Sequence, residues 1–218
     1  MQHLDLASGT GLGRLLCLGA HCDDIEIGCG GTVLELLARH PDLHVDWVVF
    51  TSSSSRAAEA RASAAGFLTG ARSQQVTIHE FRDGYLPFEG AALKDCFESL
   101  KATVSPDLIL THHRGDFHQD HRLVGEMTWN TWRNHLILEY EIPKYDGDLG
   151  RPNAYVPVAE ATAHRKIELI LGSFASQLGK AWFTADTFRA LLRLRGVEAN
   201  APEGLAEAFF APKIRLRP

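Results

Sequence analysis

Apolar residues along this chain come in short runs, each followed by a polar cluster and then by a stretch with helical spacing. RLLCLGA (residues 14–20) predicts a buried first strand entering the polar sequence HCDD. GCGGT then leads into VLELLARH, which predicts a helix ending near His40-Pro41. HVDWVVFT (44–51) reads as a second strand, serines 52–55 as a loop, and the Ala-rich segment 56–68 as a helix with Gly70 near its end. Residues 75–81 form a third predicted strand, 93–104 a helix, and PDLILT (106–111) a fourth strand. HHRGDFHQDHR follows, then a helix over 123–134 and a fifth strand, HLILEY (135–140).

Strands alternating with helices imply an α/β fold: a Rossmann-like, mainly parallel sheet with helices on both faces. Residues 12–140 form this core. Residues 141–218 read as an extension of the same single domain, irregular over the Pro- and Gly-rich stretch 141–157 and helical over 161–176 and 184–195. Ligands of such sheets bind at the carboxyl ends of the strands. HCDD and HHRGDFHQDH each follow a predicted strand, so both belong on that rim.

Composition narrows the partners. Net charge is −5, from 22 basic and 27 acidic residues, which argues against nucleic acid, because phosphate binding needs a basic face. The basic residues Lys213, Arg215 and Arg217 read as a solvated tail. No apolar run is long enough to span a bilayer, and residues 1–10 lack the pattern of a signal peptide, so a cytoplasmic location is the default expectation. Cys17, Cys22, Cys29 and Cys96 form no CxxC pair and read as reduced, mostly buried thiols. The sequence is compatible with a homo-oligomer and says no more about assembly.

The two polar clusters carry the chemistry. His21, Asp23 and Asp24 stand at the end of an apolar strand, where charge is costly unless paired or metal-bound. Imidazole and carboxylate suit zinc, and catalytic zinc commonly takes three protein ligands. His21 and Asp24, three residues apart, can aim at one point and leave Asp23 free to accept a proton; the plain alternative is that Asp23 or Asp24 caps the next helix. His118 and His121 repeat the three-residue spacing in the second cluster, among His112, His113, Asp116 and Asp120. One His and one Asp from the first cluster with one His from the second complete a zinc site, although iron or cobalt fits the same donor set.

AHCDDIEIGCGGT (20–32) and HQDHR (118–122) resemble the two motifs of the LmbE-like, or PIG-L, superfamily of zinc-dependent N-deacetylases. RAAEARASAAGFLTG (56–70), SFASQ (173–177) and LAEAF (205–209) resemble further elements of that family. The resemblance implies His21, Asp24 and His121 as metal ligands and Asp23 as the general base acting on metal-activated water. It implies His118 as a protonated partner of the oxyanion, and Asp120 as a group orienting a site histidine. The implied substrate is a small amino sugar bearing an N-acetyl group. Cys22 replaces the family's usual proline, which frees the backbone there, and reads as a packing residue. Other readings are hydrolysis of another amide or an ester, and a non-catalytic carbohydrate- or metal-binding module.

Arg56 reads either as a substrate contact or as a surface arginine paired with Glu59. His112 and Asp116 are substrate-contact candidates, with Asp116 also placed to orient His118, and 141–145 (EIPKY) is a secondary candidate. Gly28, Gly30 and Gly31 do not form a nucleotide loop, since the G-x-G-x-x-G spacing is absent and Asp23, Asp24 and Glu26 would repel a pyrophosphate. Close packing at the helix start is the better reading. Lone histidines, His3 among them, and the tryptophans read as structural or solvated.

Overall fold

The computed structural model of the chain describes residues 11–215; the expectations placed on residues 1–10, on His3 and on Arg217 lie outside the described residues. In chain order the elements are β1 (Arg14–Gly19), α1 (Asp24–Arg39), β2 (His44–Thr51), α2 (Ser54–Phe67), β3 (Ser73–Phe81), α3 (Gly90–Thr103), β4 (Leu108–His112), α4 (Gln119–Thr131) and β5 (Leu136–Tyr140). They continue with β6 (Ala154–Pro157), α5 (Glu160–Ser173), α6 (Ala185–Ala199) and β7 (Ala206–Phe210). The sheet runs β3-β2-β1-β4-β5-β7-β6, with β1 to β5 parallel and β7 antiparallel to both neighbours.

Alternate side chains of the central strands feed two cores. Leu15, Cys17, Val45, Trp47, Leu108 and Leu110 pack on one face with α1, α2 and α5, while Leu16, Leu18, Val48, Phe50 and Ile109 pack on the other with α3 and α4. Burial on both faces is why these strands read as unbroken apolar runs rather than alternating ones. From β1 the chain steps outward to β2 and β3, then returns to place β4 on the opposite side of β1. The strand order therefore reverses between β1 and β4, and the crevice at their carboxyl ends is where such sheets bind ligands. HCDD leaves β1 and HHRGDFHQDH leaves β4 at that point.

One expectation is extended and one is corrected. Residues 141–218 carry the expected helices and also complete the sheet, because β7 pairs with β5 through Tyr140 and Phe209 and carries β6 on its other edge. The short segment AEAFF gave no clear period on which to predict it. Secondly, α1 starts at Asp24 and runs straight through GCGGT. Glycine costs a helix interior about 1 kcal/mol relative to alanine, and close packing offsets that here. A Cβ on Gly28 would strike the Tyr140 ring, and one on Gly30 would lie 2.6 Å from Phe67.

A buried ion pair from the C-terminal third grips the same stretch of α1. The Glu207 carboxylate accepts from the backbone N–H of Gly31 (2.8 Å) and Thr32 (2.6 Å). Lys166 Nζ donates to Glu207 (2.6 Å) and to the Ile27 carbonyl (2.7 Å). The predicted solvated tail is also tied down in part, since Lys213 donates to the Arg133 carbonyl and lies over Trp129. No helix among the described residues is long and apolar enough to cross a membrane.

Gly28→Ala is expected to destabilise the fold by about 1–3 kcal/mol, the ordinary cost of overpacking. Urea unfolding followed by circular dichroism measures it, and an unchanged midpoint contradicts the packing account of this glycine.

Candidate active site

Three predicted ligands meet at the β1–β4 crevice. His21 Nδ1 lies 3.2 Å from Asp24 Oδ2 and 3.0 Å from His121 Nε2, and His121 Nε2 lies 3.4 Å from Asp24 Oδ1. Zinc with bonds of 2.0–2.1 Å in tetrahedral geometry sets its ligands about 3.3 Å apart, close to these spacings, with Asp24 turning Oδ2 to His21 and Oδ1 to His121. Among the described residues, donor atoms also converge within 4.8 Å in the triplets His21–His118–His121, Asp24–His112–His121 and His21–Asp83–Asp120.

Local structure explains the placement. The chain turns sharply after β1, and the Asp24 carboxylate accepts the His21 backbone N–H at 2.6 Å, fixing the turn. Cys22 packs into the core with its thiol directed at the Thr51 carbonyl, and burial pushes its pKa up to about 12. It is a neutral packing group, as expected. Asp23 occupies the N-cap position of α1 but makes no side-chain capping bond, so the capping alternative fails for it.

The electrostatics favour a positive charge at the centre. Burial alone would lower the His21 and His121 imidazoles, yet Asp24 with Asp120 and Asp83 holds His21 well above its ordinary value, and Asp24 with Asp116 raises His121. Asp24 resists burial because His121, His112 and His21 face it, and its pKa falls well below the carboxylate range. Around this set, buried carboxylates orient the rings: Asp116 Oδ2 lies 3.0 Å from His121 Nδ1 and Asp120 Oδ2 3.3 Å from His21 Nε2. Asp120 is itself held by the backbone N–H groups of Gly84 (2.7 Å) and Leu86 (3.2 Å). This carboxylate–histidine arrangement is the usual outer support of a metal site.

Several expectations change in the structure. His112 is fully buried, stacks on His121 at 4.0 Å and accepts the Ala20 N–H, so it supports the site from beneath and is out of a substrate's reach. Burial, then His121, pushes its pKa down to about 4, which keeps the ring neutral. Asp116 is buried as well, bound to His121 and to Lys144 Nζ (3.0 Å), and so orients His121 instead of meeting a substrate. Arg56 is neither free nor a plain surface residue: it donates to Asp23 Oδ1 at 2.8 Å, with Glu59 and Ser176 holding its other nitrogen. Burial raises the Asp23 carboxyl, Arg56 opposes this, and the net shift is upward. His118 was expected protonated, but burial followed by His121 and His21 lowers its pKa, and its Nδ1 accepts the Asp120 N–H. A neutral ring with the proton on Nε2 follows.

Asp83 was missed. It follows β3, and its carboxylate lies 3.2 Å from His21 Nε2 with 79% of the side chain exposed. RDGY reads in sequence only as a turn, although the carboxyl-end rule for parallel strands applies to β3 as much as to β1.

A family model described as PIG-L: GlcNAc-PI de-N-acetylase matches residues 16–132. The chain belongs to the PIG-L family. The matched span runs from β1 to the end of α4 and includes both polar clusters. A search of curated proteins finds no match. Among solved structures, the chain is similar to N,N'-diacetylchitobiose deacetylase from Pyrococcus horikoshii (20% identity, 91% of this chain and 83% of that one, TM-score 0.68). It is similar to a deacetylase of the teicoplanin biosynthetic pathway (17%, 91% and 97%, TM-score 0.70). It is also similar to the 4-carboxy-2-hydroxymuconate hydratase GalB from Pseudomonas putida KT2440 (16%, 95% and 99%, TM-score 0.75). At these identities the likeness is one of fold, shared by proteins of different chemistry.

Arg56→Met is expected to cost about 3 kcal/mol of stability, because it strands the buried Asp23 charge. Adding Asp23→Asn should recover most of that loss in chemical denaturation, and a double variant no more stable than the single one contradicts the pairing.

Proposed function

We propose that this PIG-L family member is a metal-dependent N-deacetylase that removes the acetyl group from an amino sugar of the N-acetylglucosamine type. The observation that carries the reading is the adjacency of two things at one strand crevice: the His21–Asp24–His121 donor set, and a buried carboxylate, Asp23, with no capping duty. Zinc is the metal we assign, since His₂Asp donors and 3.0–3.4 Å spacings suit it. When bound, such an ion polarises an amide carbonyl and makes water nucleophilic near neutral pH.

The residues of the chain then act as follows. Asp23 takes the proton of the attacking water, and its raised pKa brings the carboxylate closer to the strength a base needs at neutral pH. Arg56 is a positioning residue that fixes the Asp23 carboxylate. His118 donates from Nε2 to the carbonyl oxygen as charge develops there. Asp23, protonated, returns the proton to the leaving amine; its upward shift and the downward shift of His118 favour it for that step. Asp120 orients His21, Asp116 orients His121, and the exposed Asp83 is placed to accept a sugar hydroxyl. The family description and the two deacetylase neighbours support the reaction class.

Release of free amine from an N-acetylglucosamine glycoside by the zinc-loaded protein tests the reading directly; no amine from any N-acetyl sugar overturns it. Asp23→Asn is expected to lower kcat by about 10²–10⁴-fold while the protein still binds one zinc. Zinc binding should also release protons at pH 7. His21 and His121 are held above their ordinary pKa by the carboxylates around them, so coordination competes with protons there, and affinity rises with pH. Calorimetry in two buffers of different ionisation enthalpy reads the proton count, and a value of zero contradicts this arrangement.

A further inference from the structure

Resting on the metal site of the deacetylase reading, we propose that Lys144 is a positioning residue of that site. It acts through Asp116 on the ligand His121, and the loop between β5 and β6 is built to deliver it. Lys144 lies outside the family-matched span of residues 16–132, as do its partner Asp148 and the anchor Arg195. The segment EIPKY reads in sequence as a candidate for substrate contact; its lysine instead turns inward, with 10% of the side chain exposed.

The Asp116 carboxylate uses both oxygens. Oδ1 accepts the His118 backbone N–H at 2.7 Å, and Oδ2 lies 3.0 Å from both His121 Nδ1 and Lys144 Nζ. The ammonium also donates to Asp148 Oδ1 (2.7 Å) and Oδ2 (2.6 Å), while the more exposed Asp146 stands 3.9 Å away. Asp148 in turn accepts the N–H of Phe117, the residue between Asp116 and His118, at 2.7 Å. One ammonium therefore matches two buried carboxylates and joins the β5–β6 loop to the β4–α4 loop. A carboxylate bonded to His121 alone is free to rotate about its own Cβ–Cγ bond. A second partner on the same oxygen and a third on the other fix its plane, and the plane fixes the ring. Without the cation, Asp116 and Asp148 become buried anions that lack matching charge, which a protein interior tolerates poorly.

The loop itself is fastened at both ends by one residue of α6. Arg195, buried, donates from Nε and Nη2 to the Glu141 carboxylate (2.6 and 2.7 Å) and from Nη2 to the Gly150 carbonyl (3.2 Å). Ile142 and Pro143 are buried between the first anchor and Lys144. A lysine gives up much rotamer freedom to occupy one place. Fixed loop ends reduce that loss, because the backbone at residue 144 is set before Nζ meets Asp116. A lysine that merely stapled its own loop would need Asp148 alone, which already offers it two oxygens. The further bond to Asp116 Oδ2 is what reaches the metal ligand. Groups that orient a ligating histidine from behind change metal affinity by about 10–100-fold.

The experiment measures zinc affinity by competition with a chromogenic chelator at one pH, with the visible spectrum of the cobalt-loaded protein as a second readout. Asp116→Asn should weaken zinc binding by about 10–100-fold and Lys144→Met by about tenfold, the scale of lost outer support. Because Lys144 acts through Asp116, the double variant Asp116→Asn/Lys144→Met should bind zinc no more weakly than Asp116→Asn alone. The cobalt bands should shift in Lys144→Met and return towards those of the wild-type protein in Lys144→Arg. If Lys144→Met does not fold, Lys144→Met/Asp148→Asn takes its place: it removes a stranded anion along with the cation, and should still bind zinc about tenfold more weakly. Zinc held as tightly by the folded lysine variant as by the wild-type protein overturns the inference and leaves the deacetylase reading standing. So do losses that add in combination with Asp116→Asn, which would make the lysine a staple of its own loop. Wild-type protein that takes up no zinc overturns the metal site and this inference together, a result distinct from either of those.

Discussion

A single carboxylate, that of Asp24, organises the molecule around its crevice. It is almost fully buried, and it is bound by the His21 backbone while three imidazoles surround it. A buried anion is tolerable only with matching positive charge and hydrogen bonds. The histidines supply that match in proportion as they carry protons or share a cation. His112 is pushed towards neutrality while His21 and His121 are pulled towards charge, so the cluster divides into an inert floor and a responsive upper layer. Asp116 and Asp120 then exist to keep the responsive rings in place, and Lys144 and the Gly84–Leu86 backbone keep those carboxylates in place in turn.

The sheet serves this arrangement. Only a strand order that reverses between β1 and β4 sets the two polar clusters facing each other across one crevice. The fold does not choose the reaction; a hydratase and two deacetylases share it at similar TM-scores. What stands beside the donor set here is Asp23, held by Arg56 at the start of α1. Glu26, one turn further on, is fully buried beside Ser63, and burial drives its pKa well up. A neutral acid at that position adds no further negative charge to a crevice already crowded with carboxylates.

Much of this was legible in the sequence, and the illegible part has a common cause. Apolar runs and the residues that follow them reveal β1, β2, β4, β5 and the two clusters, because burial on both faces leaves an unmistakable pattern, whereas β3, at the sheet edge, is partly exposed and more polar. The meeting of His21, Asp24 and His121 is legible because each polar cluster directly follows a strand of one parallel sheet. Burial of individual side chains is not written in the local pattern: His112 and Asp116 look like loop residues and turn out to be supports. Arg56 looked like a helix-surface group because its partner lies 33 residues earlier. Asp83 was hidden in a turn, and β7 in a segment too short and too mixed to show a period. The SFASQ and LAEAF segments acquire physical meaning only in three dimensions, Ser176 beneath Arg56 and Glu207 against α1.

That last contact ties the order of assembly to the far end of the described chain. Glu207 meets the Gly31 amide across 176 residues, and Lys166 meets the Ile27 carbonyl across 139. Contacts of such sequence separation carry a large loop-closure entropy and form slowly. While the chain is being made, α1 therefore waits, its glycine-rich stretch unclamped, until β7 has been synthesised and has docked beside β5. The turn bearing Asp23 and Asp24 belongs to that same helix, so a clamp supplied by the last strand of the sheet reaches back to the crevice.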